Sequence, residues 1–242
     1  MDIINWKKAL KKSESFKTSV PTKWVYLEEF LNTEFYEELR DTFPKFDSND
    51  VIDKYSNSSD KWLLSHTYDN YSFRKFWKED EEKIVIHERD ERYSDSWNKF
   101  MAYAWSEDSI KKLVELTGIP VTNLKHFAFA LNRQDSFQLP HTHNSGDKIL
   151  IVFLYFSKNW QKGDPGGTYL SDGEDESKIL FEMCNLDNTA LIIRDGPNAS
   201  HGTRQIIKNV ERKAIQLIYE HYSPDNGWSG QIRKDLPELI DL

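Results

Sequence analysis

Residues 149–156 read ILIVFLYF, an unbroken apolar run in which most side chains are β-branched or aromatic. The run is short and is flanked by the polar segments NSGDK and SKNW. A run of this length and composition between turn-forming residues predicts a hydrophobic strand. One strand cannot bury itself, so its partners must come from elsewhere in the chain.

Similar runs lie on both sides of residues 149–156. Each is about six to eight residues long, is rich in β-branched and aromatic residues, and is bounded by Gly, Asp, Asn or Pro. No helical pattern alternates with these runs, which disfavours a doubly wound parallel sheet and favours an antiparallel sandwich or barrel. The runs are HFAFALNR (126–133), GTYLSD (167–172), KILFEM (178–183), TALIIRD (189–195) and KAIQLIYE (213–220).

The first half of the chain has a different character. It contains no glycine before Gly118, whereas nine of the ten glycines lie between residues 146 and 230. Asn32 or Thr33 can cap a helix over residues 34–43, and Ser106 can cap one over residues 107–118 that Gly118 ends. We therefore predict an α+β fold in one domain, with a helical N-terminal region (1–122), a β core that carries the chemistry (123–222) and a C-terminal tail (223–242).

Composition restricts the function classes. The chain has 242 residues and a formal net charge of −8, which disfavours a dedicated nucleic-acid binder. No apolar run is long enough to cross a bilayer, and the first residues lack the apolar segment of a secretory signal. The single cysteine, Cys184, excludes an intramolecular disulfide and is expected to be a small buried apolar residue. We expect a cytoplasmic protein without nucleic-acid or membrane partners.

Two further segments give weaker signals. The charge run at 79–92 is typical of a solvated face. The Trp- and Tyr-rich region 62–105 is a candidate lid or homodimer surface.

Three of the seven histidines form a candidate metal site. His141 and His143 lie in PHTH after one strand, and side chains at i and i+2 of an extended segment point to the same side. His201 follows the strand-like run 189–195, and a barrel can bring it next to the other two. Imidazole is a good ligand for Fe, Zn, Cu and Ni. The alternative is that PHTH is an ordinary polar turn and that His201 is unrelated to it.

The order of motifs resembles the Fe(II)- and 2-oxoglutarate-dependent oxygenases, in particular their prolyl-4-hydroxylase-like branch. Over about residues 123–222 the sequence gives PHTHNSGDK, ILIVFLYFSKNW, DPGGTYLSD, TALIIRDGPNASHGT and NVERKAIQLIYE in the family's order. The resemblance implies a double-stranded β-helix (jelly-roll) core and a hydroxylase-like dioxygenase. Its cofactors would be Fe(II), 2-oxoglutarate and O2, with ascorbate as a reductant. The substrate would be an amino acid, a peptide or a small metabolite.

The resemblance also implies the metal ligands. His141 matches the first iron ligand and His201 the distal one. His143 stands where the family has an aspartate, so all three metal ligands would be histidines and would also form the catalytic centre. Asp147, four residues after His143, is the nearest downstream carboxylate and is expected to be a turn residue rather than a replacement ligand.

The resemblance implies a cosubstrate site as well. Arg212 matches the basic residue that binds the far carboxylate of 2-oxoglutarate, with Lys213 pointing outward by strand alternation. Tyr155 matches a tyrosine that adds a hydrogen bond to the same carboxylate. Ala214 stands where relatives often have a hydroxyl. Asn132 and Gln138 are candidates to face the same pocket.

Two other functions fit the same residues. The first is a cupin-like dioxygenase that holds its metal with three histidines and does not use 2-oxoglutarate. The second is a non-catalytic binding module with a degenerate metal site.

Overall fold

The computed structural model of the chain describes residues 2–46, 72–76 and 89–221. Its helices lie outside the β core, and three are capped by side chains that accept a hydrogen bond from a backbone N–H of the first turn: Asn32, Ser94 and Ser106. The last helix ends at Gly118, whose φ of 72° only glycine adopts easily. The α-helices are α1 (Trp6–Ala9), α2 (Ser13–Thr18), α3 (Thr33–Asp41), α4 (Asp95–Trp105) and α5 (Glu107–Thr117), and there are two 3-10 turns in the described residues, Leu10–Lys12 and Glu176–Lys178.

The described residues form ten strands in two antiparallel sheets. The large sheet has the order β1-β8-β5-β10-β3-β2 and the small sheet the order β4-β9-β6-β7. The strands are β1 (Trp24–Glu28), β2 (Ser72–Phe76), β3 (Asn123–Asn132), β4 (Gln138–His141), β5 (Ile149–Phe156), β6 (Thr168–Ser171), β7 (Ile179–Glu182), β8 (Asp187–Arg194), β9 (His201–Thr203) and β10 (Arg212–Glu220).

The strands from β3 to β10 form a jelly roll, as expected. Four of them, β3, β5, β8 and β10, make the centre of the large sheet, and the other four make the small sheet. Strand β5, which contains the run ILIVFLYF, lies between β8 and β10. It is buried on both faces because the helices cover one side of the large sheet and the small sheet covers the other.

The two faces of β5 belong to two different cores. Leu150, Val152 and Leu154 point to the helical side and pack in the larger hydrophobic cluster with α3, α4 and α5. Tyr155 points between the two sheets and packs in the smaller cluster. Trp97 of α4 is fully buried on the helical side, where its ring lies 4.7 Å from that of Phe129 on β3.

The N-terminal half is not entirely helical. Strand β1 pairs with β8 and strand β2 pairs with β3, so this half supplies both edge strands of the large sheet. The predicted helical N-terminal region (1–122) includes WVYLE (24–28), which leads directly into a helical segment. The alternating burial of Val25 and Leu27 shows instead a strand with one face on the core.

The prediction for Cys184 is wrong, because this residue is exposed. The neighbouring Met183 is the fully buried side chain of that segment. The tail 223–242 lies wholly outside the described residues, the charge run 79–92 largely so, and the region 62–105 for half of its length. Among the described helices, none combines the length and the apolar character that crossing a membrane requires.

Candidate active site

The three histidines converge at one end of the jelly roll. His141 ends β4 and His201 begins β9, and the two residues are direct partners in the antiparallel pairing of these strands. His143 follows β4 by two residues. The ring of His141 lies 4.6 Å from that of His201 and 5.0 Å from that of His143, and the ligand atoms of all three lie within 4.8 Å of one another. The turn that brings His141 and His143 together is therefore not an isolated polar loop.

Backbone carbonyls orient two of these rings. Nδ1 of His141 lies 2.8 Å from the carbonyl oxygen of Leu139, and Nδ1 of His201 lies 2.8 Å from that of Ala199. When Nδ1–H donates to a carbonyl, the other ring nitrogen, Nε2, presents its lone pair to a metal. Both bonds reach the residue two positions earlier, so the extended backbone itself sets the ring orientation.

The surroundings of His201 favour its neutral imidazole. Burial lowers the pKa of His201 well below its ordinary value, and the neighbouring His141 and His143 lower it further. A metal ion binds the neutral form of histidine, so this environment prepares His201 for a ligand role without competition from protons. His143 is more accessible to solvent than the other two.

The donor set fits a divalent transition-metal ion. Two metal–nitrogen bonds of about 2.1 Å span at most about 4.2 Å, so small ring rotations bring the three ligand atoms onto one ion. Three protein ligands leave further coordination positions open for other molecules. Asp147 is exposed and is not part of the cluster, which agrees with its expected place in a turn.

Arg212 lies in the interior between the two sheets. Its side chain is buried and donates to Oδ1 of Asn132 (2.9 Å), the hydroxyl of Tyr155 (3.3 Å) and Oγ1 of Thr168 (2.8 Å). Within the described part of the chain, no carboxylate forms an ion pair with it and its Nε has no hydrogen-bond partner. A buried guanidinium without an anion is costly unless a ligand supplies the anion.

The hydroxyls beside Arg212 are suited to hydrogen bonding with an anion. Burial raises the pKa of Tyr155, so this phenol keeps its proton. Its oxygen and that of Thr168 lie 2.5 Å apart. Lys213, the next residue on β10, has its ammonium 5.9 Å from the ring of Phe43 on the helical side of the sheet, so it points outward as expected.

A cavity connects the histidine end to Arg212. It has an empty volume of about 570 Å³, and both His201 and Arg212 line it. Asn132 and Gln138 line it too, as anticipated from their positions before PHTH. Ala214 also borders it, and Thr168 lines it from the opposite sheet.

Two polar residues of this region were not anticipated. Thr168 follows the Gly-Gly turn of DPGGTYL, and a threonine at the start of a strand is too common to stand out. Asp195 ends the run TALIIRD, is 1% exposed and accepts a hydrogen bond from the backbone N–H of Ser145 at 2.7 Å. A charged residue at a strand end is ordinarily solvated, so no sequence signal indicates that this carboxylate is buried.

Two glycines allow the backbone to pack closely around the site. A Cβ on Gly202, next to His201, would lie 2.4 Å from the hydroxyl oxygen of Tyr169 and 2.5 Å from the carbonyl oxygen of Gln138. A Cβ on Gly167, next to Thr168, would lie 1.9 Å from the carbonyl oxygen of Met183. Both positions therefore need glycine because of close approach rather than unusual dihedral angles.

Comparison with solved structures identifies the architecture. The chain is similar to a prolyl hydroxylase from Trichoplax adhaerens in complex with a peptide fragment of the hypoxia-inducible-factor oxygen degradation domain, with a TM-score of 0.56, 15% identity and 93% of each chain covered. It is also similar to an oxidoreductase of the 2OG-Fe(II) oxygenase family from Burkholderia pseudomallei, with a TM-score of 0.55 and 10% identity over 90% of this chain and 91% of that one. The fold is that of the 2-oxoglutarate- and Fe(II)-dependent oxygenases.

A third structure with this oxygenase fold is HygX from Streptomyces hygroscopicus, which contains nickel, 2-oxoglutarate and hygromycin B. It gives a TM-score of 0.53 and 12% identity over 83% of each chain. No family model and no curated protein matches the sequence. The likeness to the oxygenase fold is therefore carried by the backbone, and at these identities the role of each residue rests on its own geometry.

Proposed function

We propose that this protein is an Fe(II)- and 2-oxoglutarate-dependent oxygenase that hydroxylates an amino acid, a peptide or a small metabolite. One observation carries the proposal. His201, a member of the three-histidine cluster, and Arg212, a buried guanidinium without a carboxylate partner in the described residues, line the same cavity. A small dicarboxylate that also binds a metal fits such a cavity.

In this proposal His141, His143 and His201 hold the iron, and Arg212 binds the far carboxylate of 2-oxoglutarate. The planar guanidinium can form two parallel hydrogen bonds to one carboxylate. The hydroxyls of Tyr155 and Thr168 are hydrogen-bonded to each other, so one of them donates to the other and the remaining hydroxyl hydrogen is available to the same carboxylate. When iron, 2-oxoglutarate and O2 are bound, they supply the oxidising chemistry. The protein orients the bound molecules and keeps water away from them.

The replacement of the family's aspartate by His143 changes the charge of the proposed centre. Three neutral imidazoles leave a divalent ion with its full charge of two, whereas two imidazoles and a carboxylate reduce that charge to one. Unlike two imidazoles and a carboxylate, three imidazoles bring no negative charge to the ion. Iron affinity therefore depends more strongly on the other charges near the centre.

The neighbouring structures support a substrate class for this chain. The Trichoplax enzyme is complexed with a peptide, and HygX is bound to hygromycin B, a small molecule. We therefore propose a peptide or small-molecule substrate, and the acidic net charge of −8 supports neither nucleic acid nor an anionic membrane surface as a partner. The lone cysteine supports a cytoplasmic location. A homodimer stays a prediction, which light scattering of the purified protein would test.

The test is succinate formation from 2-oxoglutarate. The protein would be loaded anaerobically with Fe(II) and then exposed to O2, with and without candidate substrates and ascorbate. We expect succinate that depends on both O2 and iron and that is lost in His141→Ala. Succinate no higher than in the metal-free control would contradict the proposal.

A second candidate is the three-histidine dioxygenase that does not use 2-oxoglutarate. The absence of a carboxylate from the cluster favours it, whereas the buried Arg212 has no role in it. Calorimetric titration of 2-oxoglutarate into the metal-loaded protein separates the two functions. Saturable binding that requires Arg212 supports the first proposal, and no binding supports the second.

A further inference from the structure

Asp195 is a buried carboxylate beside the histidine cluster. It is 1% exposed, and within the described residues no Lys, Arg or His side chain pairs with it. Its Oδ2 accepts the backbone N–H of Ser145, while Oδ1 has no hydrogen-bond partner in the described part of the chain. An anion in this environment loses the stabilisation that water gave it and recovers only part of that through one hydrogen bond.

The position of Asp195 joins the two loops that carry ligands. Ser145 lies two residues after His143, and Asp195 lies six residues before His201. The backbone N–H of Asp195 also donates to the carbonyl oxygen of Ile149, the first residue of β5, at 3.0 Å. These two bonds fix the loop that contains His143 against the end of β8.

The charge of Asp195 also acts on the cluster. It raises the pKa of His201 and so opposes the lowering by burial, which places it within electrostatic reach of this ring. Its oxygens are not among the ligand atoms that lie within 4.8 Å of one another. Asp195 can therefore influence a bound cation without coordinating it.

We propose that Asp195 is a positioning residue for a three-histidine metal centre: it holds the loop of His143 in place and supplies the negative charge that the three imidazole ligands lack. The inference rests on the proposed function, since it takes the histidines as metal ligands. With Asp195 nearby, the charge of the whole region with a divalent ion equals that of a centre with two histidines and one aspartate.

This role predicts opposite effects on two measurements. In the metal-free protein the charge of Asp195 destabilises the fold, because no cationic side chain of the described residues pairs with it. In the metal-bound protein the same charge stabilises the cation. A residue that only fixes the loop would instead affect both forms in the same direction.

Asp195→Asn separates the charge from the hydrogen bond, because the amide oxygen can still accept from Ser145. The probe is Ni(II), measured by competition with a chelator, together with the melting temperature in EDTA. We expect Asp195→Asn to weaken Ni(II) binding about 10- to 100-fold while the melting temperature in EDTA stays equal or rises. Asp195→Ala should weaken Ni(II) binding at least as much. The matched control is Asp147→Asn, which removes the same charge from an exposed turn near His143 and should change Ni(II) affinity less than about twofold.

Unchanged Ni(II) affinity in Asp195→Asn would overturn the inference, as would a lower melting temperature in EDTA with unchanged affinity, which indicates a structural role only. Absence of Ni(II) binding by the parent protein would overturn it too. If the parent binds Ni(II) and Asp195→Asn weakens that binding, but the Fe(II) protein forms no succinate, the inference stands and the proposed oxygenase function fails. If succinate forms and Asp195→Asn leaves affinity unchanged, only the inference fails.

Discussion

Nη2 of Arg212 donates a hydrogen bond to Oγ1 of Thr168, 2.8 Å away, although the two residues belong to different sheets of the jelly roll. Arg212 begins β10 in the large sheet and Thr168 begins β6 in the small sheet. The bond therefore crosses the interior of the molecule, and both residues line the cavity that His201 also borders. The first two predictions concern this pair and its neighbours.

Arg212→Ala should weaken 2-oxoglutarate binding and leave metal binding nearly intact. Loss of a buried charge-assisted contact costs about 2–5 kcal/mol, or about 30-fold to several thousand-fold in affinity. Calorimetry on the Ni(II)-loaded protein measures this. Lys213→Ala is the control, because that side chain points to the helical side of the same strand. An Arg212→Ala variant that binds 2-oxoglutarate as tightly as the parent would show that the cosubstrate is held elsewhere.

Tyr155→Phe and Thr168→Val should have smaller effects in the same direction. Each change removes one hydroxyl and keeps nearly the same shape, and a neutral hydrogen bond contributes about 1 kcal/mol. Because the two hydroxyl oxygens lie 2.5 Å apart, their effects should not be additive. A double-mutant cycle on 2-oxoglutarate affinity measures the coupling. Full additivity would mean that the two hydroxyls act independently on the ligand.

His143→Ala should weaken metal binding, and His143→Asp should retain it. An imidazole ligand competes with protons below a pH of about 6.5, whereas a carboxylate does so only near 4. Metal affinity of His143→Asp should therefore vary less steeply between pH 7 and 5 than that of the parent. Chelator competition across this range tests it. A His143→Ala variant with the affinity and pH dependence of the parent would show that His143 is not a ligand.

The metal-free protein should lose stability as the pH falls below about 6.5. Burial and the neighbouring histidines lower the pKa of His201 in the folded state, so the unfolded chain binds a proton there at a higher pH than the folded chain does. Stability from this site is fully present above the unfolded pKa of about 6.5 and decreases below it. Melting temperatures in EDTA between pH 7.5 and 5 test this. The slope should be shallower in His201→Asn than in the control His221→Asn; equal slopes would contradict it.

Gly202→Ala should destabilise the protein by about 1–3 kcal/mol, because its Cβ would overlap Tyr169 and the backbone at Gln138. Tyr169→Phe removes the hydroxyl oxygen that lies 2.4 Å from this Cβ position and should restore part of the loss. Chemical denaturation of both single variants and the double variant gives the coupling. A neutral Gly202→Ala would mean that β9 moves freely away from β6.

The sequence was most informative where several motifs occurred in a fixed order. The run 149–156, the PHTH turn and the position of Arg212 each admit ordinary explanations alone, but their order along the chain predicted the jelly roll and the meeting of the three histidines. The helix limits at Asn32, Ser106 and Gly118 followed from local capping chemistry. These features depend on neighbouring residues and so can be read locally.

Other features depend on partners far away in the chain. Strand β1 could not be recognised from WVYLE because its partner β8 decides its conformation, and the same residues run directly into a helical pattern. Thr168 acquires its importance only from Arg212 across the interior. Cys184 was expected to be buried and is exposed, whereas Asp195 was not anticipated and is buried. The cause is the same for both, because the burial of a residue after a strand depends on the loops that cover it.

The pairing of β1 with β8 also determines when the chain can fold. The hydroxyl of Thr22 donates to the carbonyl oxygen of Arg194, 172 residues later, and Asn188 bonds to the backbone of Leu31 across 157 residues. During synthesis β1 emerges long before its partner and must wait, unpaired, until β8 has been made. Contacts at such separations require the closure of long loops, which slows folding. The N-terminal segment thus cannot take its place at the edge of the large sheet until more than three quarters of the chain has been made.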